Sequence, residues 1–173
     1  MKKLIIQLLA GTLLTTSGFA GSDAYNFDKV RSVETPFYKG NETNITLYTG
    51  KQVHHGDSFV GGISVKYFVN RNVGLGVSGE FLDDNSKTAN LMGTVTYRYP
   101  IGTSRLAPFV FAGAGGTNTN RDRSDFRFAG QVGAGVELRV TPNVGIIADY
   151  NYNFVDGKDN NFGMVRTGMN LSF

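Results

Sequence analysis

The 173-residue chain has no Cys, no Trp and only two His, which are adjacent. That excludes a disulfide scaffold and a Cys-based metal site, and the length suits one domain. The formal net charge is +3; Lys2 and Lys3 in the leader carry two of these charges, so the remainder holds +3 − 2 = +1, too little to point to nucleic acid.

The N-terminus places Lys2 and Lys3 before an apolar run, Leu4 to Leu14, followed by small and polar residues up to Gly18-Phe19-Ala20. This is the layout of a secretory signal peptide with a small-x-small cleavage site. Residues 1–20 are read as that signal, cut after Ala20, with a cut after Ala24 as the alternative. The run is shorter than a bilayer span needs, and no Cys follows it to mark a lipoprotein. No later stretch is long and apolar enough for a transmembrane helix.

Residues 21–42 form a mixed polar lead-in with the isolated aromatics Tyr25, Phe27, Phe37 and Tyr38. From residue 43 to 173 the chain alternates. In the first run, Ile45 and Leu47 oppose Thr46 and Tyr48, and the pattern does not say which pair faces the core. Phe59, Gly61, Ile63, Val65 and Tyr67 then oppose Val60, Gly62, Ser64, Lys66 and Phe68. Asn70-Arg71-Asn72 reads as a turn. Val73, Leu75, Val77, Gly79 and Phe81 oppose Gly74, Gly76, Ser78 and Glu80; Leu91, Gly93, Val95, Tyr97 and Tyr99 oppose Asn90, Met92, Thr94, Thr96 and Arg98. The next strand, Ala107 to Gly116, separates Phe109 and Phe111 from Val110, Ala112 and Ala114, and 117–125 reads as a charged loop.

The strongest signal is 126–154. Phe126, Phe128, Gly130, Val132, Ala134, Val136, Leu138 and Val140 alternate with Arg127, Ala129, Gln131, Gly133, Gly135, Glu137 and Arg139. Thr141-Pro142-Asn143 breaks the pattern as a turn does. Val144, Ile146, Ala148, Tyr150, Tyr152 and Phe154 then oppose Gly145, Ile147, Asp149, Asn151 and Asn153, with Ile147 the one misfit. Met164 to Phe173 makes the last alternating run. Period two with unlike faces is the mark of a strand. Eight such runs of about ten residues have the length of strands that cross a bilayer at a steep tilt.

Alternation alone does not tell a lipid-facing barrel from a soluble one. Two features favour lipid. The aromatics of the apolar faces sit at strand ends: Phe59, Phe81, Phe126, Phe128, Tyr152 and Phe154 at one level, and Tyr67, Tyr97, Tyr99, Phe109 and Phe173 at the other. Two girdles around an aliphatic belt match two membrane interfaces. The opposite face is small and polar, with charges of both signs at Lys66, Glu80, Arg98, Glu137, Arg139, Asp149 and Arg166. Inside an eight-stranded barrel these must neutralise one another. The expected fold is all-β: an eight-stranded antiparallel up-and-down transmembrane barrel.

These residues, together with the strand Val132-Gly133-Ala134-Gly135-Val136-Glu137, its turn to Val144-Gly145 and the terminal Phe173, resemble the small outer-membrane β-barrels of Gram-negative bacteria, of the OmpA transmembrane-domain and OmpX type. The resemblance covers about residues 43–173. It implies export to the bacterial outer membrane, contact with outer-membrane lipid and lipopolysaccharide, and a monomer that does not bind nucleic acid. It also implies that Phe173 is an assembly signal read by the barrel-assembly machinery through the C-terminal strand. The OmpA pattern adds a periplasmic domain after the barrel, which this sequence does not show, so peptidoglycan binding does not carry over.

Other motifs are weaker. Gly74 to Gly79 fits G-x-G-x-x-G, which binds a pyrophosphate only at a strand-to-helix turn; here it lies inside a strand. His54 and His55, with Asp57, Ser58, Asp83, Asp84 and Ser86, could furnish a lipid-A-modifying site, since some barrel acyltransferases carry His, Asp and Ser on outer loops. Their plain reading is solvated loop polarity. Barrel deacylases place their His and Ser late in the chain, where this sequence has no His. The inward charges read either as a narrow gated pore or as a self-satisfied structural network. Arg121, Asp122, Arg123 and Lys158 read as solvated loop charges or as contacts to lipopolysaccharide phosphates. The expected role is structural or a surface interaction such as membrane integrity or adhesion, with no enzyme activity and no cofactor or metal; the lipid-A enzyme and the gated pore are the alternatives.

Overall fold

The computed structural model describes residues 37–53, 58–83, 88–120, 124–156 and 161–173. The expectations for the signal at 1–20, for 21–36, and for His54, His55, Asp57, Asp84, Ser86, Arg121, Asp122, Arg123 and Lys158 lie outside the described residues.

The alternating runs form eight strands: β1 (Glu42–Gln52), β2 (Phe59–Phe68), β3 (Val73–Asp83), β4 (Thr88–Arg98), β5 (Leu106–Asn120), β6 (Ser124–Arg139), β7 (Val144–Val155) and β8 (Phe162–Ser172). Each pairs antiparallel with the next, and β1 pairs with β8, so the sheet closes on itself. Closure removes both edges and satisfies the ladder all round, the condition for a sheet to sit in lipid.

Three turns lie at what is here termed the lower end: 69–72, 99–105 and 140–143. Their side chains hold them. Asn70 Oδ1 accepts from the backbone N–H of Asn72 and Val73 at 2.8 and 2.7 Å. Thr141 Oγ1 accepts from Asn143 and Val144 at 3.3 and 3.1 Å. Short polar side chains that mimic a backbone turn are why both sites break the alternation.

Burial is inverted relative to a soluble protein. Leu91 is 68 % exposed, whereas Arg98 is 0 % exposed. Leu47, Ile63, Val77, Val95, Val132, Val136, Ile146 and Val165 also face outward. A contiguous exposed aliphatic belt is unsupportable in water and normal against lipid. Its rims are aromatic: Phe59, Phe81, Phe126, Phe128 and Phe154 at the upper end, and Tyr67, Tyr97, Tyr99 and Phe173 at the lower.

Three expectations are corrected. Phe109, expected in the lower outer girdle, points inward and is 6 % exposed, as does Phe111. Both faces of β5 are apolar, so alternation did not label them. Size decides instead. The rings fit because β6 opposes them with glycines: a Cβ at Gly133 would lie 2.3 Å from Phe111, and one at Gly135 2.8 Å from Phe109. The second correction is the loop read at 117–125. β5 and β6 run on to Asn120 and from Ser124, so this hairpin overreaches the others. The third is small: β1 begins at Glu42, inside the stretch assigned to the lead-in.

The structure also settles β1. Thr46 and Tyr48 face inward and Leu47 outward. Gly62 and Gly168 make room for Tyr48, since a Cβ on either would lie 2.7 Å from its side chain. In the upper lumen Val60, Leu82, Phe162 and Met164 pack together, a small apolar core inside a mostly polar interior.

Candidate functional site

The lumen is the place where chemistry is concentrated. Among the described residues its ion-paired charges fall into two groups. The lower group joins Arg98 at the end of β4 and Glu137 and Arg139 at the end of β6 to Glu42 at the start of β1. Arg98 Nη1 lies 2.7 Å from Glu42 Oε1 and 3.5 Å from Glu137 Oε2. Arg139 Nη2 lies 2.8 Å from Glu42 Oε1, and its Nε pairs with Glu137 Oε1. Remaining donors find carbonyls: Arg98 Nε donates to Arg71 O at 3.2 Å, and Arg139 Nη1 to Pro142 O at 2.8 Å. Asn170 Nδ2 donates to Glu137 Oε1 at 2.7 Å. Two cations meet two carboxylates, so the group is neutral and hydrogen-bonded, as buried charges must be.

The upper group is Arg166 on β8 between Asp149 on β7 and Glu80 on β3. Arg166 Nε donates to Asp149 Oδ1 at 2.8 Å, and its Nη1 pairs with Glu80 Oε1. Tyr48 Oη donates to Glu80 Oε1 at 3.2 Å, and Asn90 Nδ2 donates to Glu80 Oε2 at 3.3 Å. One cation against two carboxylates leaves this group at −1.

Lys66 lies between the two groups and joins neither by contact. Among the described residues no carboxylate pairs with it; its ammonium sits 5.5 Å from the Phe109 ring and 5.6 Å from the Phe111 ring. It compensates the upper group at a distance, with cation–π attraction to two rings. Gly76 makes room for it, since a Cβ there would lie 2.7 Å from Lys66 Cγ. Gly74, which faces the Phe68 ring, and Gly76 are therefore packing features, and the whole Gly74 to Gly79 motif lies inside β3 rather than at a strand-to-helix turn.

Lys66 and Ile147 separate two small cavities of about 20 Å³ each. Asn44, Thr46, Thr96 and Asn170 line the lower, and Ser64, Ser78, Thr94 and Gln131 the upper. Each has room for about one water. Among the described residues no group of three His, Cys, Asp or Glu could hold a metal.

Two participants escaped the sequence reading. Glu42 continues the inward series Asn44, Thr46, Tyr48 by one step back, so extending the alternation would have found it. Tyr38 belongs to no strand and carries no pattern. It closes the lower group from below, wholly buried, with its hydroxyl 2.7 Å from Arg105 O and 3.0 Å from Glu137 O. Burial, with the nearby Glu137 charge adding to it, pushes its phenol well above the ordinary tyrosine range. Of the outer-loop candidates, Ser58 and Asp83 are described, and Asp83 is exposed at the end of β3.

Comparison with known proteins points the same way as the geometry. Residues 9–173 match the family described as Outer membrane protein beta-barrel domain. None of the curated proteins matches. The N-terminal β-barrel domain of Pseudomonas aeruginosa OprF superposes with a TM-score of 0.67 at 21 % identity, covering 78 % of this chain and 99 % of that one. Ail, the attachment invasion locus protein of Yersinia pestis, gives 0.54 at 18 % identity, covering 78 % and 99 %. The outer membrane enzyme PagL gives 0.50 at 11 % identity, covering 75 % and 98 %. At these identities the likeness is one of fold.

Proposed function

The chain belongs to the outer membrane protein β-barrel domain family, and from that premise we propose that it spans the bacterial outer membrane as a closed, non-conducting barrel with a structural or surface-contact role. The observation that carries this reading is the filled lumen. Arg98, Glu137 and Arg139 are buried and mutually paired across its lower end, and the cavities above them hold about one water each. Ions could cross only by breaking buried pairs, at a cost of several kcal/mol per uncompensated charge.

With the lumen closed, interaction is left to the outer surface. Ail, named for attachment, shares the fold, which makes display of contact segments on such a barrel a workable design. The fold likeness to PagL keeps lipid A chemistry as an outcome to be tested.

Purified protein in a planar bilayer tests the proposal. Closed traces with at most rare, small openings are expected; a large steady conductance would overturn the reading. Lipid A extracted from expressing cells should keep its mass, and a changed mass that disappears in the His54→Ala, His55→Ala double variant would make the protein an enzyme.

A further inference from the structure

Residues 37–41 precede the first strand, yet each of them contacts the barrel. Glu42 begins β1, but Tyr38, four residues earlier, hydrogen-bonds at Arg105 and Glu137. Arg105 immediately precedes β5 and Glu137 lies near the lower end of β6, with β5 on the opposite side of an eight-stranded ring from β1. The segment therefore crosses the lower mouth as a chord.

It is pinned along that path. The Asn41 N–H donates to Phe68 O of β2 at 2.7 Å, and Tyr67 Oη donates to Asn41 Oδ1 at 3.0 Å. Asn41 adopts φ 57 to make the bend into β1, a left-handed conformation that Asn tolerates better than most residues. Gly40 lies against the Asn70 backbone, where an added Cβ would come within 3.1 Å. The Lys39 N–H donates to Glu42 Oε2 at 3.3 Å, and Arg98 Nη2 donates to Lys39 O at 3.5 Å. Phe37 lies 5.0 Å from the Arg105 guanidinium.

At the centre of the chord Tyr38 is 0 % exposed. Its ring faces the Arg98 guanidinium at 4.7 Å and that of Arg139 at 5.1 Å. Guanidinium faces accept aromatic rings well because they are weakly hydrated on their flat sides. The ring thus covers a face of each guanidinium group. The lower cavity lies immediately above, sharing Arg98 and Glu137 with the ionic group.

We infer that residues Phe37–Asn41 are a built-in stopper for the lower mouth of the barrel, with Tyr38 as the residue that keeps the lower lumen cavity closed. The ion-pair group fills the mouth; the tyrosine shields it from water and holds its two arginines in place. The inference does not depend on which membrane face the mouth occupies.

The absence of Cys from the sequence makes the test clean. Thr96→Cys puts a thiol on the wall of the lower cavity. The full chain is folded in detergent micelles, folding is verified by heat-modifiable gel mobility, and a small cationic methanethiosulfonate is added. Thr96→Cys should react slowly, and Thr96→Cys with Tyr38→Phe should remain slow because the ring stays on the guanidinium faces. Thr96→Cys with Tyr38→Ala should react faster by about tenfold or more, as expected when a local closed state is lost. Equal rates with and without the ring, or rapid reaction while Tyr38 is in place, would overturn the inference. If the alanine variant does not fold, hydrogen exchange on the unaltered chain decides. The Asn41 amide should be protected, and exchange there at the rate of an unstructured peptide would refute a seated stopper.

Discussion

At the scale of single residues, the lumen shows that a buried charge matters through its contacts rather than its presence. Glu42 and Lys66 are both inward and both charged, but Glu42 bridges two guanidinium groups, whereas Lys66 touches only aromatic faces. Glu42→Ala strands Arg98 and Arg139 with a single shared carboxylate and should lower the free energy of unfolding by about 3–5 kcal/mol. Lys66→Met keeps the length and the ring contacts and gives up a cation–π term and a long-range compensation of the upper group, so it should cost less than Glu42→Ala, about 1–2 kcal/mol. Urea unfolding in detergent, followed by tyrosine fluorescence, measures both. Equal losses would mean that Lys66 is held by ion pairing after all. The charged residues Glu80, Arg98, Glu137, Arg139, Asp149 and Arg166 were legible because each interrupts a small, polar face at strict period two. Their grouping was not legible: pairing Arg166 with Glu80, 86 positions away, needs the barrel closed. Tyr38 was silent because no periodicity operates outside a strand.

At the scale of the strand, what decides orientation is volume as much as polarity. β5 is apolar on both faces, and the rings of Phe109 and Phe111 go inward because β6 meets them with Gly135 and Gly133. A Cβ at Gly133 would fall 2.3 Å from the Phe111 ring and 2.6 Å from the Tyr150 carbonyl oxygen. Gly133→Ala should therefore cost about 1–3 kcal/mol through overpacking. Part of that loss should be recovered when Phe111→Leu is added, because the two sites share one space; the remainder belongs to the Tyr150 backbone and stays. Additive losses in the double variant, measured by the same urea unfolding, would show that ring volume is not the reason. The turns were read correctly at Asn70 and Thr141, since an Asn or Thr that hydrogen-bonds its own following backbone leaves a local signature. The reach of the β5–β6 hairpin was missed for the opposite reason. Polar, charged residues near its tip look like loop, whereas their backbone continues the ladder.

At the scale of the whole molecule, eight half-apolar strands have one arrangement that satisfies every backbone group while hiding the charges, and that is a closed cylinder with its aliphatic side outward. This much follows from the alternation and the strand lengths. The stopper and the subdivision of the lumen follow from side-chain sizes that only the assembled barrel brings together. The central claim is that Leu91 and Val136 lie in lipid. Because the sequence contains no Trp, a single Leu91→Trp or Val136→Trp substitution gives an unambiguous reporter. In bilayers whose acyl chains carry bromine, each should show blue-shifted emission that is strongly quenched relative to unbrominated lipid. Emission at the wavelength of indole in water, unchanged by bromine, would contradict the account.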